Sequence, residues 1–234
     1  MISALHLLPV SLGISPLEQW LPGQARQQAA VLKTYIAENA KTARAYLKQT
    51  GTEGPIQDIT IHTLNAKTPD ADMRRWLSES SGEVGLVSEA GCPAVADPGA
   101  RVVMLAHQMG IRVIPWVGPS SILLGLMASG LDGQRFTFHG YVPIAPAERS
   151  KQLKVWEQQS SRHHQTQMFI ETPYRNLAMF STLLETLNPS TRLCVARALT
   201  TADEWILTDT VAGWKKRQKP ALDKFPTLFL FLAQ

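Results

Sequence analysis

The first half of the chain alternates short apolar runs with helical segments, and this alternation limits the fold more than any other feature. Runs at residues 4–8, 56–62, 85–87 and 111–117 have the composition of strands. Helical periodicity predicts helices over residues 23–35, 37–49, 70–80 and 100–109. Strands that alternate with helices predict a mostly parallel sheet covered by helices.

The pattern changes from Phe136 onward. Five further strands are predicted from the segments FTFHGYV, TQMFIET, RLCVARAL, EWILTDTV and TLFLFLA, with helices at about 148–160 and 177–187. This half has more candidates for antiparallel pairing. We therefore predict two α/β domains, an N-terminal one over residues 1–118 and a C-terminal one over residues 119–234.

Composition excludes several classes of protein. The chain has 234 residues, of which 44% are apolar and 18% charged, as in an ordinary globular protein. No apolar run approaches the roughly 20 residues that span a bilayer. The first ten residues lack a basic n-region, and two isolated cysteines suggest neither a disulfide framework nor a zinc site. We expect a cytoplasmic protein with no membrane partner.

The net charge of +4 is only mildly basic. Positive charge is concentrated at Arg74 and Arg75, at Arg162 with its two histidine neighbours, and around Lys215 to Lys219. Such clusters are either solvated surface or contacts to nucleic-acid phosphates. Charge alone favours solvated surface.

Three loops after predicted strands contain glycine or proline together with small polar or acidic residues. They cover residues 9–13, 88–99 and 118–121. In open α/β sheets, ligands bind outside the carboxyl ends of the strands. Three such loops at equivalent strand ends predict a shared ligand cleft.

The usual phosphate and hydrolase motifs are absent. The chain has no P-loop, no G-x-G-x-x-G after the first strand and no G-x-S-x-G. His163 and His164 are sequence neighbours, which do not share a helix face, so no metal site is predicted. A cleft with small residues and few catalytic groups suits a reaction in which the protein mainly aligns the reactants. Methyl transfer from a sulfonium is such a reaction.

Several stretches, in order along the chain, carry a family resemblance. They are SEAGCPAVADPG, GIRVIPWVGPSSILLGLMASGL, RFTFHGYVP, FIETPYR and ALTT with Glu204. Together they resemble the tetrapyrrole methylase superfamily of S-adenosylmethionine (SAM) methyltransferases. The branch with the most similar motifs is that of the small-subunit (16S) rRNA ribose-2′-O-methyltransferases.

The resemblance implies two α/β domains with SAM in the cleft between them, no metal, and a homodimer. From the N-terminal half it implies SAM contacts from Pro9, Ser88, Glu89, Gly91, Cys92, Val95, Ser120 and Ser121. From the C-terminal half it implies contacts with adenosine from Ile170, Tyr174, Ala198, Leu199 and Thr227. For Asp97, a role in bracing its loop is favoured over catalysis.

The chain departs from the rRNA branch mainly where the acceptor would bind. The first loop, LPVSLG, lacks the Asn and Asp of the branch, and AENAKTAR replaces its A-E-D-T-R helix start. No general base can be assigned, and the candidates for catalysis are Glu38, Lys41 and Glu171. Lys41, Arg44 and the basic cluster near Lys215 are candidates for RNA contacts or plain surface charge.

Three functions remain open at this point. The first is methylation of RNA, with rRNA ribose of the small ribosomal subunit as the acceptor. The second is methylation of a corrin or porphyrin precursor, which the missing G-x-G-P-G-D in the first loop disfavours. The third is SAM binding without turnover.

Overall fold

Within the described residues of the computed structural model, 3–80 and 82–234, five parallel strands form the sheet of a first unit, Met1–Ser120. The strands are β1 (Ala4–Leu7), β2 (Thr34–Ala37), β3 (Thr60–Thr63), β4 (Val84–Val87) and β5 (Arg112–Pro115). Their order is β3-β2-β4-β1-β5, and all pairs are parallel. The carboxyl ends of all five strands therefore lie at one edge.

Helices cover both faces of this sheet. They are α1 (Gly23–Val31), α2 (Ala40–Thr50), α3 (Asp70–Glu79) and α4 (Gly99–Gln108). Tyr35 belongs to the apolar cluster that includes α1 and α2, whereas its neighbour Ile36 belongs to the cluster that includes α3 and α4. Because successive side chains of a strand point to opposite faces, β2 contributes to both cores. The predicted parallel sheet covered by helices is confirmed.

The prediction of one helix over residues 23–35 is wrong. Helix α1 ends at Val31, and residues 34–37 form β2, which lies between β3 and β4 in the sheet. All four residues of β2 are buried. A short strand buried on both faces shows no alternation, so periodicity cannot separate it from a buried helix.

The second unit, Ser121–Gln234, contains a mixed sheet. Its described strands are β6 (Phe136–Tyr141), β7 (Thr166–Glu171), β8 (Arg192–Arg197), β9 (Trp205–Thr210) and β10 (Thr227–Leu232). The order is β6-β7-β10-β8-β9; β6 pairs with β7 in parallel, and the other pairs are antiparallel. The strands predicted for this half, and their antiparallel character, are confirmed.

The helices of the second unit are α5 (Ser121–Ser129), α6 (Pro146–His163), α7 (Asn176–Thr186) and α8 (Val211–Trp214). Leu153 of α6 and Leu183 of α7 pack with Phe169 and Phe229 of the sheet. On α5, a Cβ at Gly125 would overlap the side chain of Leu228. Strand β10 is buried along its whole length. Among the described residues, no helix is long and apolar enough to cross a bilayer.

Candidate active site

The loops after β1 and β4 are joined by backbone hydrogen bonds. Val10 N–H donates to Gly91 O at 2.9 Å, and Gly91 N–H donates to Val10 O at 3.0 Å. Gly91 has φ of 74°, a conformation that costs glycine little and most other residues more. The two loops are thus held as one piece.

The loop after β5 packs against the same pair. Pro9 lies against Gly118 so closely that a Cβ at position 118 would overlap the proline ring. The Sγ atom of Cys92 lies 3.4 Å from the carbonyl oxygen of Pro119. The structure therefore brings together the three loops that the sequence singled out, through Pro9, Gly91 and Cys92.

Hydrogen bonds within the 88–99 loop define its shape. Ser88 Oγ donates to the carbonyl oxygens of Ala90 and Gly91 at 3.1 and 3.3 Å. The Asp97 carboxylate accepts from Ala94 N–H at 2.9 Å and from Gly99 N–H at 2.6 Å. Ala94 and Ala96 have φ of 67° and 62°, a left-handed conformation that is unfavourable for alanine and needs such support. Asp97 braces the loop, which is the role favoured for it from the sequence.

Bracing places the Asp97 carboxyl group partly out of solvent. Burial raises its pKa above the ordinary value, and the hydrogen bonds from Gly99 and Ala94 offset only part of this effect. A second carboxyl group, Glu38, lies at the carboxyl end of β2. Its pKa is also raised, first by burial and further by the charges of Asp97 and Glu89, while a bond from Glu89 N–H opposes the shift.

A pocket of about 590 Å³ opens beside these carboxyl groups, at the ends of β2, β3 and β4. Pockets of this size accommodate a small organic group or a nucleoside. The lining residues are Glu38, Asn39, Leu64, Asn65, Ala66, Glu89, Ala96, Asp97 and Pro98. Glu38 Oε1 accepts a hydrogen bond from Glu89 N–H at 3.2 Å, which ties the end of β2 to the 88–99 loop.

Asn39 and Asn65, which line this pocket beside the predicted candidate Glu38, were not predicted as site residues. The signal was available, because Asn39 follows β2 and Asn65 follows β3, and ligands bind at such strand ends. The missed strand β2 concealed the position of Asn39, whereas Asn65 follows the strand that the sequence predicted over residues 56–62. Asn39 also caps α2, since its Oδ1 atom accepts from Lys41 N–H at 2.8 Å.

The other two catalytic candidates lie in different surroundings. Lys41 is exposed near the start of α2. Glu171, whose side chain is 1% exposed, forms an ion pair with Arg175 within the second unit. An acceptor already committed to an arginine is a weaker general base than Glu38, which lines a pocket.

The residues predicted to contact adenosine lie at one end of the second sheet. Thr227 of β10 is paired with Glu171 of β7 on one side and with Arg197 of β8 on the other. Leu228 of β10 is paired with Ile170 of β7. Ala198 and Leu199 follow β8 and are buried, whereas Tyr174 is 76% exposed. Ser120 and Ser121 lie at the junction between the first unit and α5.

A threonine hydroxyl beside these residues has no hydrogen-bond partner among the described residues. Ala198 and Thr200 have φ of 51° and 70°, so the backbone bends sharply after β8. The Thr200 Oγ1 atom is buried and has no hydrogen-bond partner within residues 3–80 and 82–234. Buried hydroxyl groups without partners are rare, and a hydroxyl can donate to or accept from a ring nitrogen or a ribose oxygen. In the same described residues, no group of three His, Cys, Asp or Glu side chains is arranged to hold a metal.

Proteins of one name are similar to most of this chain. Ribosomal RNA small subunit methyltransferase I of Xylella fastidiosa is 36% identical over 178 residues, which cover 75% of this chain and 62% of that protein. The chain is a sequence relative of this methyltransferase. The protein of the same name from Mesorhizobium japonicum is also 36% identical, over 80% of this chain and 62% of its own length. The resemblance to the rRNA branch of the tetrapyrrole methylases is thereby confirmed.

The match covers only part of the length of the relatives. The Bacillus subtilis protein of this name is 30% identical over 67% of this chain and 52% of its own length. The chain thus spans less than two thirds of the length of these curated relatives. No protein-family model matches the chain.

A solved structure shows the same fold. The methyltransferase CobJ superposes with a TM-score of 0.62 over 98% of this chain and 93% of its own, at 15% sequence identity. At this identity the likeness concerns the fold alone. The predicted α/β fold with two domains is confirmed.

Proposed function

We propose that this chain is a SAM-dependent methyltransferase whose acceptor is RNA, with a ribose 2′-hydroxyl of small-subunit rRNA as the reacting group. One observation carries the proposal. The 88–99 loop joins the three interlocked loops through Gly91 and Cys92, and it lines the 590 Å³ pocket through Glu89, Ala96 and Asp97. A donor held by the interlocked loops and an acceptor in the pocket would lie on two sides of one braced loop.

The sequence relatives support the choice of acceptor. Their shared name assigns them to RNA of the small ribosomal subunit. The SAM contacts proposed for the chain are those expected from the resemblance, in both units. The unpartnered Thr200 hydroxyl and the apolar side chains of Ile170 and Leu199 suit an adenosine group.

The reaction requires the protein to align the methyl donor with the acceptor and to supply one group that takes up a proton. SAM, when bound, supplies a methyl group on a positively charged sulfur. Transfer of this methyl group would join its carbon to the ribose oxygen and break its bond to sulfur, so that S-adenosylhomocysteine leaves, and the hydroxyl proton would have to be taken up by the protein. Glu38 is the base that we propose, because it lines the pocket and its raised pKa makes the carboxylate more basic than an exposed one. The bond from Glu89 N–H orients its carboxyl group.

The proposed binding of SAM is tested by isothermal titration calorimetry with SAM and S-adenosylhomocysteine. Val95, which is 49% exposed in the 88–99 loop, is replaced by tryptophan to fill the proposed site. Val155→Trp, at a position 39% exposed on α6, is the matched control. We expect micromolar binding in the wild type and the control and none in Val95→Trp. Absence of binding to the folded wild type would overturn the proposal.

The proposed acceptor is tested with radiolabelled SAM and small ribosomal subunits from a strain that lacks the protein. We expect one 2′-O-methylated nucleoside in the digested RNA by mass spectrometry. Transfer to a corrin or porphyrin precursor instead would show the second function, and SAM binding without transfer to any acceptor would show the third. We also propose a homodimer, which analytical ultracentrifugation would detect as twice the 25.8 kDa chain mass.

A further inference from the structure

Helix α2 carries three cations and no acidic residue. Lys41, Arg44 and Lys48 are spaced by three and four residues, so they lie along one helix face. All three are exposed. Lys41 and Lys48 are about 10.5 Å apart along the helix axis at 1.5 Å per residue. We refer to these three side chains as the α2 stripe.

Several arginines of the first unit are engaged within the protein. Arg75 pairs with Asp72 at 2.9 Å, Arg101 pairs with Asp70, and Arg74 donates to Gln108. By contrast, within the described residues no ion pair or side-chain hydrogen bond involves the α2 stripe. Its three positive charges are available to an external partner.

The helix is destabilised by this arrangement. Like charges at spacings of three or four residues repel each other. Lys41 also lies in the first turn, where the helix dipole disfavours a cation. An anion bound along the stripe would remove both effects, because it would neutralise the repulsion and favour the helix N-terminus.

The stripe begins where the pocket ends. Asn39 lines the pocket and caps α2 two residues before Lys41. We propose that the α2 stripe binds the phosphate backbone of a single-stranded RNA whose reacting nucleoside enters the pocket. This inference rests on the proposed function, and it assigns the surface along which the acceptor strand runs. The stripe is long enough for about three phosphates at 3.4 Å per stacked nucleotide.

The charges of the pocket and the stripe are complementary to the two parts of a nucleotide. Glu38, Glu89 and Asp97 would repel a phosphate but can accept hydrogen bonds from ribose hydroxyls and base amino groups. The stripe attracts the phosphates. Enzymes that modify one nucleotide often draw it out of its strand into a pocket while they hold the backbone outside.

The test measures the salt dependence of RNA binding. The probe is a fluorescein-labelled, unstructured 12-nucleotide RNA, followed by anisotropy between 50 and 200 mM KCl. The stripe variant is Lys41→Gln/Arg44→Gln/Lys48→Gln. The control Lys151→Gln/Lys154→Gln/Arg162→Gln removes the same charge from exposed positions of α6.

Each phosphate contact with single-stranded RNA contributes about −0.7 to the slope of log affinity against log salt. We therefore expect the slope of the stripe variant to be less negative by about 2, with affinity reduced by up to roughly a hundredfold at 0.1 M salt. The control should retain the wild-type slope. An unchanged slope in the stripe variant, an equal change in the control, or no RNA binding by the wild type would overturn the inference.

Titration of all three proteins with SAM separates this inference from the proposed function. If the wild type binds SAM and methylates RNA while the stripe variant keeps its slope, only the inference fails. If the wild type binds RNA through the stripe but transfers no methyl group to it, only the proposed function fails.

Discussion

The ring of Pro9 occupies the space that a side chain at position 118 would need. This contact joins the loop after β1 to the loop after β5, two segments at the edge where the ligand site is proposed. The glycine at position 118 is therefore required by close packing rather than by backbone conformation.

Gly118→Ala should separate these two loops. The added methyl group overlaps the Pro9 ring, and overpacking of this kind costs about 1–3 kcal/mol. We expect a lower free energy of unfolding in urea and at least tenfold weaker SAM binding. Gly23→Ala is the control, since a Cβ there meets nothing within 4 Å. Wild-type SAM affinity in Gly118→Ala would show that the Pro9 contact does not shape the site.

Glu38→Gln should reduce methyl transfer without changing SAM affinity. Loss of a general base lowers kcat by about 10²–10⁴-fold. Because its pKa is raised, the wild-type rate should increase with pH through a value above the ordinary glutamate pKa of about 4.3. The rate of the Glu38→Gln variant should not show this increase with pH. Glu53→Gln, at an exposed position, is expected to keep the wild-type pH profile.

Asp97 should make stability depend on pH. Its pKa is raised in the folded state, so the folded chain retains a proton that the unfolded chain loses. The stabilisation is thus fully present below the unfolded pKa of about 3.9 and is lost as pH rises through the folded pKa. Asp97→Asn cannot titrate. The difference in unfolding free energy, wild type minus Asp97→Asn, should therefore decrease between pH 4 and 7 in urea titrations; an increase would contradict the direction of the shift.

The Glu171–Arg175 ion pair should be more important for stability than the Asp209–Arg217 pair. The Glu171 side chain is 1% exposed, whereas those of Asp209 and Arg217 are 24% and 50% exposed. Arg175→Met leaves a buried carboxylate without its partner, which costs roughly 3 kcal/mol. Arg217→Met should cost no more than about 1 kcal/mol. The double variant Glu171→Gln/Arg175→Met should regain part of the loss, and equal effects of the two single variants would refute this ranking.

The two cysteines should differ in reactivity. Burial raises the pKa of the Cys194 thiol to about 11, while a hydrogen bond with Thr208 acts weakly in the opposite direction. Burial also raises the pKa of Cys92, which remains partly accessible. We expect iodoacetamide at pH 7.5 to label Cys92 slowly and Cys194 only after unfolding, as read by peptide mass spectrometry. Labelling of Cys194 in the native protein would indicate that this region opens.

The sequence predicts the loops of the site better than its pocket. The glycines and prolines at 88–99 and 118–121 are local signals, and Asp97 two residues before Gly99 indicates a bracing carboxylate. Strand β2 left no such signal, because Tyr35 and Ile36 are buried on opposite faces. Without β2, the position of Glu38 and Asn39 at the sheet edge could not be inferred. The pairing of Glu171 with Arg175 depends on the turn after β7, which periodicity does not report.

Strand β10 lies between β7 and β8, although it follows both in the chain. During synthesis on the ribosome, the first unit is complete once residue 120 has emerged. The second sheet, in contrast, cannot close until Leu232 is outside the exit tunnel. Until then β7 and β8 expose the edges that pair with β10 in the folded protein, and such edges invite wrong pairing. The nascent second unit is therefore the stage at which this protein would depend most on chaperones.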